Sequence, residues 1–595
     1  MNKLFAIDIA LVIAAPFLVQ GSEPGAFGLD TVIERDQDDC PIVPGTLLIG
    51  KMRDAWREFA KDDLTECWLG KEADEEFNPK RGRLVESDLR LIGWSKADSK
   101  AYPPYPRVAI DEFTGTAKTG ALQFIEQPWA IGQRLNFSGT WHAVSTQAEC
   151  DTLCKSIAAA LRWTGQIGAE ATIGFGQIES VSVSCTAVPE SSATVAPENA
   201  NRWYYTLSTD APLMISQQGK ITDNLFQSSD EIPGNVIKAA LALTLSAKNG
   251  NFAQPLSQAN GGDLGSAFDK ITFSHALPAS QEGIRPAVLP ASVVAIFDAG
   301  TDKVFDATEL NKPHLINSAA PAFPIDWKPN AFRVAEAALD RGWCVPPRRL
   351  RVRTAIDVNT GGAKESQLFA YEQMYAPENG WVGWIDTSSL STHEKTALAT
   401  ALSSPMLYLG KTKAKATLTV HAHPPRQCLR AESAGGSTCK QGDQLVVMLN
   451  SPALLNPIDE VHDDIAASYQ EFWKDASDDA LSLSHFFASQ YLVGGEYAAQ
   501  FRRKDRPYRP WLITRAGSIF VLTVTNAEIA QRKLAVWQAT NLPLTKSIAD
   551  CHGETWRENP YLPQNGYGEI LVNPKFGSVH KPAADQLSLV EEIAL

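Results

Sequence analysis

The sequence lacks three features that would assign it at once to a common class of protein. None of its nine cysteines forms a C-x-x-C pair, and their odd number argues for reduced thiols rather than a disulfide framework. No apolar run is long enough to span a membrane, so no membrane partner is expected. Net positive charge is also absent, because the formal charge is -14. That charge argues against a protein that coats nucleic acid by bulk attraction, but a local basic groove remains compatible with it.

Closely paired zinc ligands are missing as well. Cys150 and Cys154 have helical spacing, and His421 and His423 alternate as residues of a strand do. Structural zinc sites usually show tighter pairs of ligands. The spacing therefore favours reduced thiols, with a zinc site as the open alternative.

The first apolar stretch has two interpretations. Lys3 is followed by apolar residues 4–19, as in a signal peptide, which would make the chain a secreted binding protein cleaved near Ala15. Asp8 interrupts that stretch, however, and large apolar residues recur at every second position from Phe5 to Ile13. Because a period of two is typical of a β-strand, we predict the first strand of a sheet and a cytoplasmic protein.

A repeated block of sequence indicates duplicated domains, and 595 residues are too many for one hydrophobic core. The first copy is Arg107-Val108-Ala109-Ile110-Asp111, followed by Thr114, Gly115, Ala117, Lys118, Leu122 and Glu126. The second copy has the same residue types at 353–357, 360, 361, 363, 364, 368 and 372, each 246 positions later. The Thr-Gly pairs predict a turn between two strands. We expect Asp111 and Asp357 to brace the fold.

Smaller elements recur around this block. Pro44-Gly45 and Pro233-Gly234 supply turns before two predicted helices. Strands with a Gly-aromatic-Gly motif begin at residues 174 and 566. From this order we predict three domains of the β-α-β type, over residues 1–195, 196–425 and 426–595, of which the third is divergent.

These elements, in this order, resemble the RAMP superfamily of CRISPR effector proteins. The resemblance implies an α+β fold of tandem ferredoxin-like (RRM-type) domains with insertions and thumb hairpins. Residues 1–195 resemble a type III backbone subunit, which lies along the guide RNA. The remainder resembles the type III-D subunit that caps the 5′ handle of the guide. The implied partners are the guide RNA (crRNA), a target RNA and other effector subunits, including a large polymerase-like subunit.

The resemblance also implies a catalytic role for Asp30, which lies in a glycine-flanked loop after the first strand. In the resembled backbone subunits, an aspartate of this loop is needed to cut target RNA. A carboxylate there can hold a divalent metal ion such as Mg²⁺, or orient the 2′-hydroxyl for in-line attack. An Asx turn is the structural alternative. Asp223, in the matching loop of the second domain, is expected to be structural, and no organic cofactor is expected.

The resemblance and the distribution of cations together predict an RNA-binding surface. A helix N-terminus after Gly45 attracts phosphate, and interleaved cations and aromatic residues at 341–353 and 501–511 suit single-stranded RNA. Alternate lysines at 411–415 predict one cationic face of a strand. The predicted RNA-binding residues are Gly45, Lys51, Arg53, Arg57, Arg107, Lys118, Arg353, Lys364, Lys411, Lys413, Arg502, Arg503 and Arg515. Phe124 and Trp129 are predicted to belong to the thumb that wedges between guide–target base pairs.

Three RNA-directed functions remain open at this point. The first is an effector subunit that cuts target RNA at Asp30, and the second is a scaffold that binds the guide without cutting. The third is a guide-processing endoribonuclease, for which His142 and His275 are the candidate acids or bases. Lys238 is the one cation of the second Pro-Gly helix near its start, so any RNA contact there should be weaker than at the first.

Overall fold

The structure of the chain is a computed structural model. It describes residues 2–22, 28–59, 61–71, 80–95, 102–189, 200–217, 224–250, 252, 256, 261–298, 301–324, 341–356, 363–421, 423–428, 430–431, 439–457, 464–494, 510–576, 579 and 581–590. Within these ranges, the helices are too short or too polar to cross a membrane.

The first unit is built around a sheet with its N-terminal strand at the centre. Its elements are β1 (Lys3–Ala14), β2 (Ile42–Val43), α1 (Gly45–Glu58), α2 (Asp62–Leu69), β3 (Gly70–Lys71), β4 (Lys80–Arg81), β5 (Leu89–Leu91), β6 (Tyr105–Ile110), β7 (Ala117–Ile125), β8 (Arg134–Ser145), α3 (Gln147–Thr164) and β9 (Gln177–Ala187). The sheet order is β2-β5-β8-β1-β9, and its pairs are antiparallel. The order β1-α1-β5-β8-α3-β9 along the chain is the ferredoxin-like β-α-β-β-α-β arrangement.

The predicted first strand is confirmed. Phe5, Ile7, Ile9, Leu11 and Ile13 are each at most 1% exposed, and they pack in one core with residues of α1 and α3. Intervening residues of β1, such as Asp8, point to the other face, where Asp8 accepts a hydrogen bond from the Thr140 hydroxyl. The period of two in the sequence therefore reports which face of the sheet is covered by helices.

The second unit repeats this arrangement with a longer insertion. Its elements are β10 (Arg202–Thr209), β11 (Leu225–Phe226), α4 (Gly234–Lys248), β12 (Thr272–Phe273), β13 (Leu277–Pro278), β14 (Ile284–Arg285), β15 (Val293–Asp298), β16 (Thr301–Asp306), β17 (His314–Ile316), β18 (Arg348–Ile356), β19 (Ala363–Met374), β20 (Trp381–Asp386), α5 (Thr392–Ser403), β21 (Met406–Leu409), β22 (Ala414–His421), β23 (Arg426–Gln427) and β24 (Arg430–Ala431). The sheet order β12-β20-β10-β22-β21 places its first strand between the third and fourth strands of the motif, as in the first unit.

The third unit has the same topology. Its elements are β25 (Gln444–Leu449), α6 (Ile465–Ala476), β26 (Leu481–Phe487), β27 (Gln490–Val493), β28 (Trp511–Thr514), β29 (Ile519–Val524), α7 (Ala527–Thr540), α8 (Lys546–His552), β30 (Ile570–Val572), β31 (Pro574–Lys575) and β32 (Leu587–Leu589). Its sheet order is β26-β29-β25-β30. The predicted fold class, tandem ferredoxin-like domains of the α+β class, is therefore confirmed.

Each unit carries a hairpin between the second and third strands of its motif: β6–β7, β18–β19 and β27–β28. The repeated sequence block forms the first two. Arg107 lies opposite Gln123, and Arg353 lies opposite Phe369, which is the same register at an offset of 246. Both hairpins also have an irregularity at the same point, before Ile110 and before Ile356. The two copies of the block therefore have the same strand register as well as the same residue types. The turn at 357–362, which includes Asp357, lies outside the described residues.

The repeated glycines after Pro44 and Pro233 serve close packing. A Cβ on Gly45 would lie 2.5 Å from the Ser87 carbonyl oxygen, and one on Gly234 would lie 2.0 Å from the Phe273 carbonyl oxygen. The Gly45 N–H donates to Asp88 Oδ1 at 2.9 Å. These contacts let each helix begin directly against a neighbouring strand.

The first and second units meet at a mixed apolar and polar interface. Leu4, Val85 and Val144 pack against Ala247, Leu407 and Tyr408 across it. His142 is buried there, with Nε2 3.4 Å from the Lys415 ammonium, which pairs with Asp210 at 2.7 Å. Burial and, to a smaller extent, the charge of Lys415 together lower the pKa of His142 to about 4.

This buried imidazole predicts a loss of stability in acid. The unfolded chain protonates His142 below its ordinary pKa of 6.5, whereas the folded chain does so only below about 4. The unfolded state therefore holds more protons in that window, and the free energy of unfolding falls as the pH falls through it, by at most about 3 kcal/mol. We expect His142→Asn to lose this part of the pH dependence in urea unfolding measured at several pH values. Equal pH profiles for the variant and the parent protein would contradict the assignment.

Candidate nucleic-acid interface

Asp30 lies at the base of the first hairpin. Its backbone N–H donates to the Phe124 carbonyl oxygen at 2.9 Å, and its Oδ2 accepts the Phe124 N–H at 2.7 Å. The carboxylate is exposed. Asp30 is therefore held in place by the hairpin itself rather than by an Asx turn, and its charge faces solvent beside the base of β7.

The second unit has no carboxylate at the equivalent position. Thr31 bridges Ile125 in the parallel sense, and Phe226 pairs with Tyr371 in the same way. Because Ile125 and Tyr371 are 246 positions apart, Leu225 takes the place of Asp30 in the second copy. Asp223, which the sequence suggested as the counterpart, lies outside the described residues. At this position the carboxylate is therefore specific to the first unit.

The last glutamates of the repeated block hold this loop against the hairpin. Glu126 accepts the Ile33 N–H at 2.9 Å and pairs with Arg35, which is 7% exposed. Glu372 accepts the Ser228 N–H at 3.0 Å in the second copy. The repeated Glu is therefore a structural residue of each copy.

Asp30 fits a metal ion that keeps most of its own water. Within the described residues, Asp30 belongs to no group of three potential ligands within 4.8 Å of one another. Mg²⁺ commonly binds through one or two carboxylates together with phosphate oxygens of its substrate, so a lone exposed carboxylate is compatible with it. Asp30 would be the protein ligand of such an ion.

The first hairpin exposes an unusual amount of apolar surface. Phe113 at its tip is 97% exposed, and the side chains of Ile110, Leu122 and Phe124 are also exposed. Large apolar side chains exposed together on one hairpin are typical of an interaction surface. Trp129 does not share it, because it is 3% exposed and packs against Phe17. Trp129 is therefore a core residue rather than an exposed residue of the hairpin, and Phe113, which the sequence analysis missed, lies at the exposed tip.

Several predicted RNA-binding cations are already engaged by protein groups. Arg53 donates to the carbonyl oxygens of Leu69 and Gly70 at 3.2 and 3.0 Å, so it fixes the end of α2. Arg107 pairs with Glu170. Asp111 accepts the Thr114 N–H within the hairpin turn, which is consistent with its predicted role in bracing the fold. Gly45 offers its N–H to Asp88 rather than to solvent.

Other predicted RNA-binding cations remain at least partly accessible on α1 and on the first two hairpins. Arg57 pairs at 3.6 Å with Asp54, its exposed neighbour. Lys118 is exposed on β7, and Lys364 is exposed on β19. Lys51 is half-buried on α1, and within the described residues no carboxylate lies within 4.0 Å of its ammonium. Lys238 in the second unit is buried, where it donates to the carbonyl oxygens of Asp269 and Ile271, so it is a structural residue rather than a weaker RNA contact.

The basic stretch at 348–351 is neutralised. Arg348 pairs with Asp230 and Glu372. Arg351 is 7% exposed and pairs across the unit boundary with Asp88 at 2.9 Å and Glu34 at 3.7 Å. This part of β18 is therefore a clamp between the second hairpin and the first unit.

Arg353, two residues further on, has a different environment. It joins Phe226, Phe369, Tyr371 and Lys411 in a group that we name the cation–aromatic cluster. The rings of Phe226 and Tyr371 are stacked at 5.2 Å, and Phe369 meets Tyr371 edge-on at 5.4 Å. The Lys411 ammonium lies 3.7 Å from the Phe226 centroid, and the Arg353 guanidinium lies 5.1 Å from that of Tyr371.

The two cations of the cluster make no direct ion pair within the described residues, although the charges of Glu86 and Asp88 act on Arg353 from a greater distance. Within the described residues, no carboxylate lies within 4.0 Å of either, and Arg353 Nε has no hydrogen-bond partner. Burial lowers the pKa of Lys411, and the charge of Arg353 lowers it further. Two unpaired, partly desolvated cations beside stacked rings suit the phosphate and base of a single-stranded nucleotide.

The lysines at 411–415 do not share a strand face as expected. Residues 410–413 form a turn between β21 and β22, and Lys413 has a left-handed φ of 56°. Lys411 points into the cation–aromatic cluster, while Lys415 on β22 pairs with Asp210. Lys413 is half-buried in the turn. The turn, rather than a strand, brings Lys411 to Arg353.

Arg515 lines a cavity of about 380 Å³ between the second and third units. Its guanidinium lies 4.5 Å from the Tyr491 ring centroid, with no carboxylate within 4.0 Å among the described residues. His275 is 1% exposed in the same wall, where neither ring nitrogen has a hydrogen-bond partner. Arg502 and Arg503 lie outside the described residues, between β27 and β28 of the third hairpin.

Comparison with known proteins finds one family match, and it lies within the first unit. Residues 16–179 match the model of the RAMP superfamily, which is a little over a quarter of the chain. No curated protein matches. A chain in a cryo-EM structure of type III-B Cmr-beta bound to cognate target RNA and AMPPnP is similar at 13% identity and a TM-score of 0.28, over 53% of this chain and 86% of that one. A chain in a second structure, of type III-B Cmr-beta bound to cognate target RNA, gives 14% identity and a TM-score of 0.22, over 30% and 61%. Because these TM-scores are low, the assignment of the fold rests on the three sheet topologies and not on these similarities.

Proposed function

We propose that this chain is a subunit of an RNA-guided type III CRISPR effector complex. It binds the guide RNA along its hairpins, holds the 5′ handle near Arg515, and cuts the complementary target once, at Asp30. Its partners are the guide, the target and further effector subunits, including a large polymerase-like subunit. The observation that carries the RNA-binding part is the cation–aromatic cluster, in which Arg353 and Lys411 have no acidic partner within the described residues.

The proposed roles follow the three hairpins. The exposed apolar side chains of β6–β7 replace base stacking when a guide–target pair is splayed open, with Phe113 and Phe124 as the wedge. The cation–aromatic cluster on β18–β19 binds the guide backbone and stacks a base. The cavity beside β27–β28 offers Arg515 and Tyr491 to the handle. This division matches a backbone subunit joined to a III-D-type handle-capping subunit.

In the proposed cleavage, Asp30 acts on the target strand. The 2′-oxygen attacks the adjacent phosphorus in line as its proton passes to water, and the bond from phosphorus to the 5′-oxygen of the next nucleotide breaks. That oxygen takes a proton from water, which leaves a 2′,3′-cyclic phosphate and a 5′-hydroxyl. The Asp30 carboxylate orients the 2′-hydroxyl or holds a divalent ion at that phosphate. The hydrogen bonds to Phe124 keep the carboxylate beside the wedge, where a splayed nucleotide has the freedom to align.

Guide processing is less well supported than target cleavage. The candidate acids or bases for guide processing, His142 and His275, are 5% and 1% exposed. A general acid or base must come within hydrogen-bond reach of its substrate, which neither buried ring can do for a duplex or loop at the surface.

The binding proposal is tested by measuring how a fluorescent oligouridylate binds the purified full-length chain at several salt concentrations. We expect Arg353→Gln/Lys411→Gln to reduce the slope of log K against log [salt] by about 1.4, because each phosphate contact to a single strand contributes about 0.7. Tyr371→Ala should weaken binding about 10- to 100-fold through lost stacking.

A matched control comes from a paired surface lysine. Lys533 pairs with Asp478 at 2.8 Å in the third unit, so Lys533→Ala should leave both affinity and slope unchanged. Circular dichroism verifies that each variant is folded. A salt slope that stays at the parent value in Arg353→Gln/Lys411→Gln would reject the cluster as an RNA contact.

A further inference from the structure

Three thiols from two elements of the first unit converge on one point. Cys150 and Cys154 lie one turn apart on α3, and Cys185 lies on β9. Their Sγ atoms all lie within 4.8 Å of one another, and no other group of three potential metal ligands is this close within the described residues. None of the three is part of the hairpins or of the candidate RNA interface.

The fold fixes this convergence. Thr146 and Glu149 form a capping box, so α3 begins at a defined residue and turns the i and i+4 thiols toward the sheet. On β9, alternate residues face α3, and Cys185 is one of them; it lies opposite Ile7 of the central strand. The sequence analysis noticed the helical pair and missed Cys185, because a strand partner has no fixed spacing from a helix.

The arrangement is that of a thiolate site with one open side. Cys150 is fully buried and Cys154 is 7% exposed, whereas Cys185 is half-buried near the surface. On the open side, Asp151 Oδ1 lies 3.5 Å from Cys185 Sγ and accepts a hydrogen bond from Gln147 at 2.9 Å. The three sulfurs therefore lie close together, and the Asp151 carboxylate lies beside Cys185 but outside the group of three.

The separations suit a thiophilic cation. Zn–S bonds of about 2.3 Å in a tetrahedron place sulfurs about 3.8 Å apart, so the three side chains need shifts of only about 1 Å or less to bind one ion. Soft thiolate ligands select Zn²⁺ over Mg²⁺ or Ca²⁺. Residues i and i+4 of a helix are poorly placed for a disulfide, since disulfide Cβ atoms lie about 3.8 Å apart and helical ones about 5–6 Å.

We propose that Cys150, Cys154 and Cys185 bind one Zn²⁺, with a water molecule as the fourth ligand on the open side. The ion joins α3 to the edge strand β9 and is a structural site. This proposal does not depend on RNA binding or cleavage, so its failure would leave the proposed function untouched.

The test uses the reduced full-length protein after removal of metal with a chelator. Titration with Cd²⁺ should give an ultraviolet thiolate-to-cadmium charge-transfer band that saturates at one ion per chain, and Zn²⁺ should displace it. Zn²⁺ should also raise the melting temperature of the stripped protein, because it binds the folded state. Cys185→Ser should bind at least tenfold more weakly and lose this thermal shift.

Two further variants complete the experiment. Cys67 is an exposed thiol outside the cluster, so Cys67→Ser should behave as the parent protein does. Cys154→Ser should repeat the loss seen with Cys185→Ser if either variant proves hard to fold. The proposal is overturned if the parent protein gives no cadmium band, or if removal of Cys185 and Cys154 leaves the band and affinity unchanged. Isolation of the chain with a Cys185 disulfide to α3 that excludes metal would overturn it as well.

Discussion

Asp30→Asn should abolish cleavage of target RNA at one site of the assembled complex while guide binding stays intact. The amide oxygen of asparagine can still accept the Phe124 N–H, so the loop keeps its link to the hairpin. The negative charge is lost, and with it the group that orients the 2′-hydroxyl or holds the divalent ion. General acid–base or metal positioning contributes about 10²- to 10⁴-fold, which sets the expected loss of rate.

The measurement compares cleavage products at each target position with complexes that carry Asp30→Asn, Asp30→Ala or Asp111→Asn. Asp111 is a carboxylate at the tip of the same hairpin, where it accepts the Thr114 N–H at 2.9 Å. We expect Asp111→Asn to cut normally. Normal cleavage by Asp30→Asn, with loss of cleavage in Asp30→Ala, would show that Asp30 only holds the loop to the hairpin. Normal cleavage by both would make the chain a scaffold.

The sequence predicted the parts of this fold that depend on local pattern. The period of two in residues 5–13 identified β1, since a strand covered on one face must alternate. The repeated block identified two hairpins, because register follows from side-chain pattern and turn chemistry, and both are copied together. These features need no knowledge of distant residues.

The sequence could not predict which cations are free. Arg351 and Arg353 are near neighbours of the same sign on the same strand, yet the first is paired with Asp88 and the second has no acidic partner within the described residues. The two side chains lie on the same face of β18, and the carboxylates of Asp88 and Glu34 in the first unit come within 4.0 Å of Arg351 alone. Charge balance is thus a property of the tertiary structure, and a run of arginines in a sequence leaves it undetermined.

The aromatic half of the candidate site was also missed, although a signal was present. Phe369 and Tyr371 alternate on β19, so both lie on one face of the second hairpin, where they are half-buried. Phe226 had no such signal, because it reaches Tyr371 through a two-residue parallel pairing of β11 with β19. Lys411 reaches the same point from a turn far along the chain.

Arg351→Met is expected to cost about 3 to 5 kcal/mol of stability at the boundary between the first and second units. The guanidinium is 7% exposed, and its removal leaves Asp88 and Glu34 without their cation. Burial already raises the pKa of Glu34, although Arg351 lowers it, so loss of Arg351 should raise it further. Hydrogen exchange of β18 amides should accelerate about 100-fold or more.

A surface pair provides the matched comparison. Within the first unit, Arg90 pairs with Asp36 at 2.6 Å and with Asp38 at 2.8 Å, but its side chain is more than half exposed. Arg90→Met should therefore cost under about 1 kcal/mol. Adding Glu34→Gln and Asp88→Asn to Arg351→Met should recover much of the loss, since no buried charge then remains. A cost for Arg351→Met as small as that for Arg90→Met would contradict a buried clamp.

The same substitution should also slow cleavage at Asp30, because the clamp holds both ends of that loop. Val352 N–H donates to Ser22 Oγ at 2.8 Å before Asp30, and Arg351 binds Glu34 after it. Freeing the loop loosens a carboxylate whose position sets the rate, and small misplacements are costly in such reactions. We therefore expect Arg351→Met to reduce cleavage more than guide binding, and the charge-matched triple variant to restore both loop order and cutting. Unchanged cleavage in Arg351→Met, despite faster exchange in β18, would show that Asp30 is positioned by Phe124 alone.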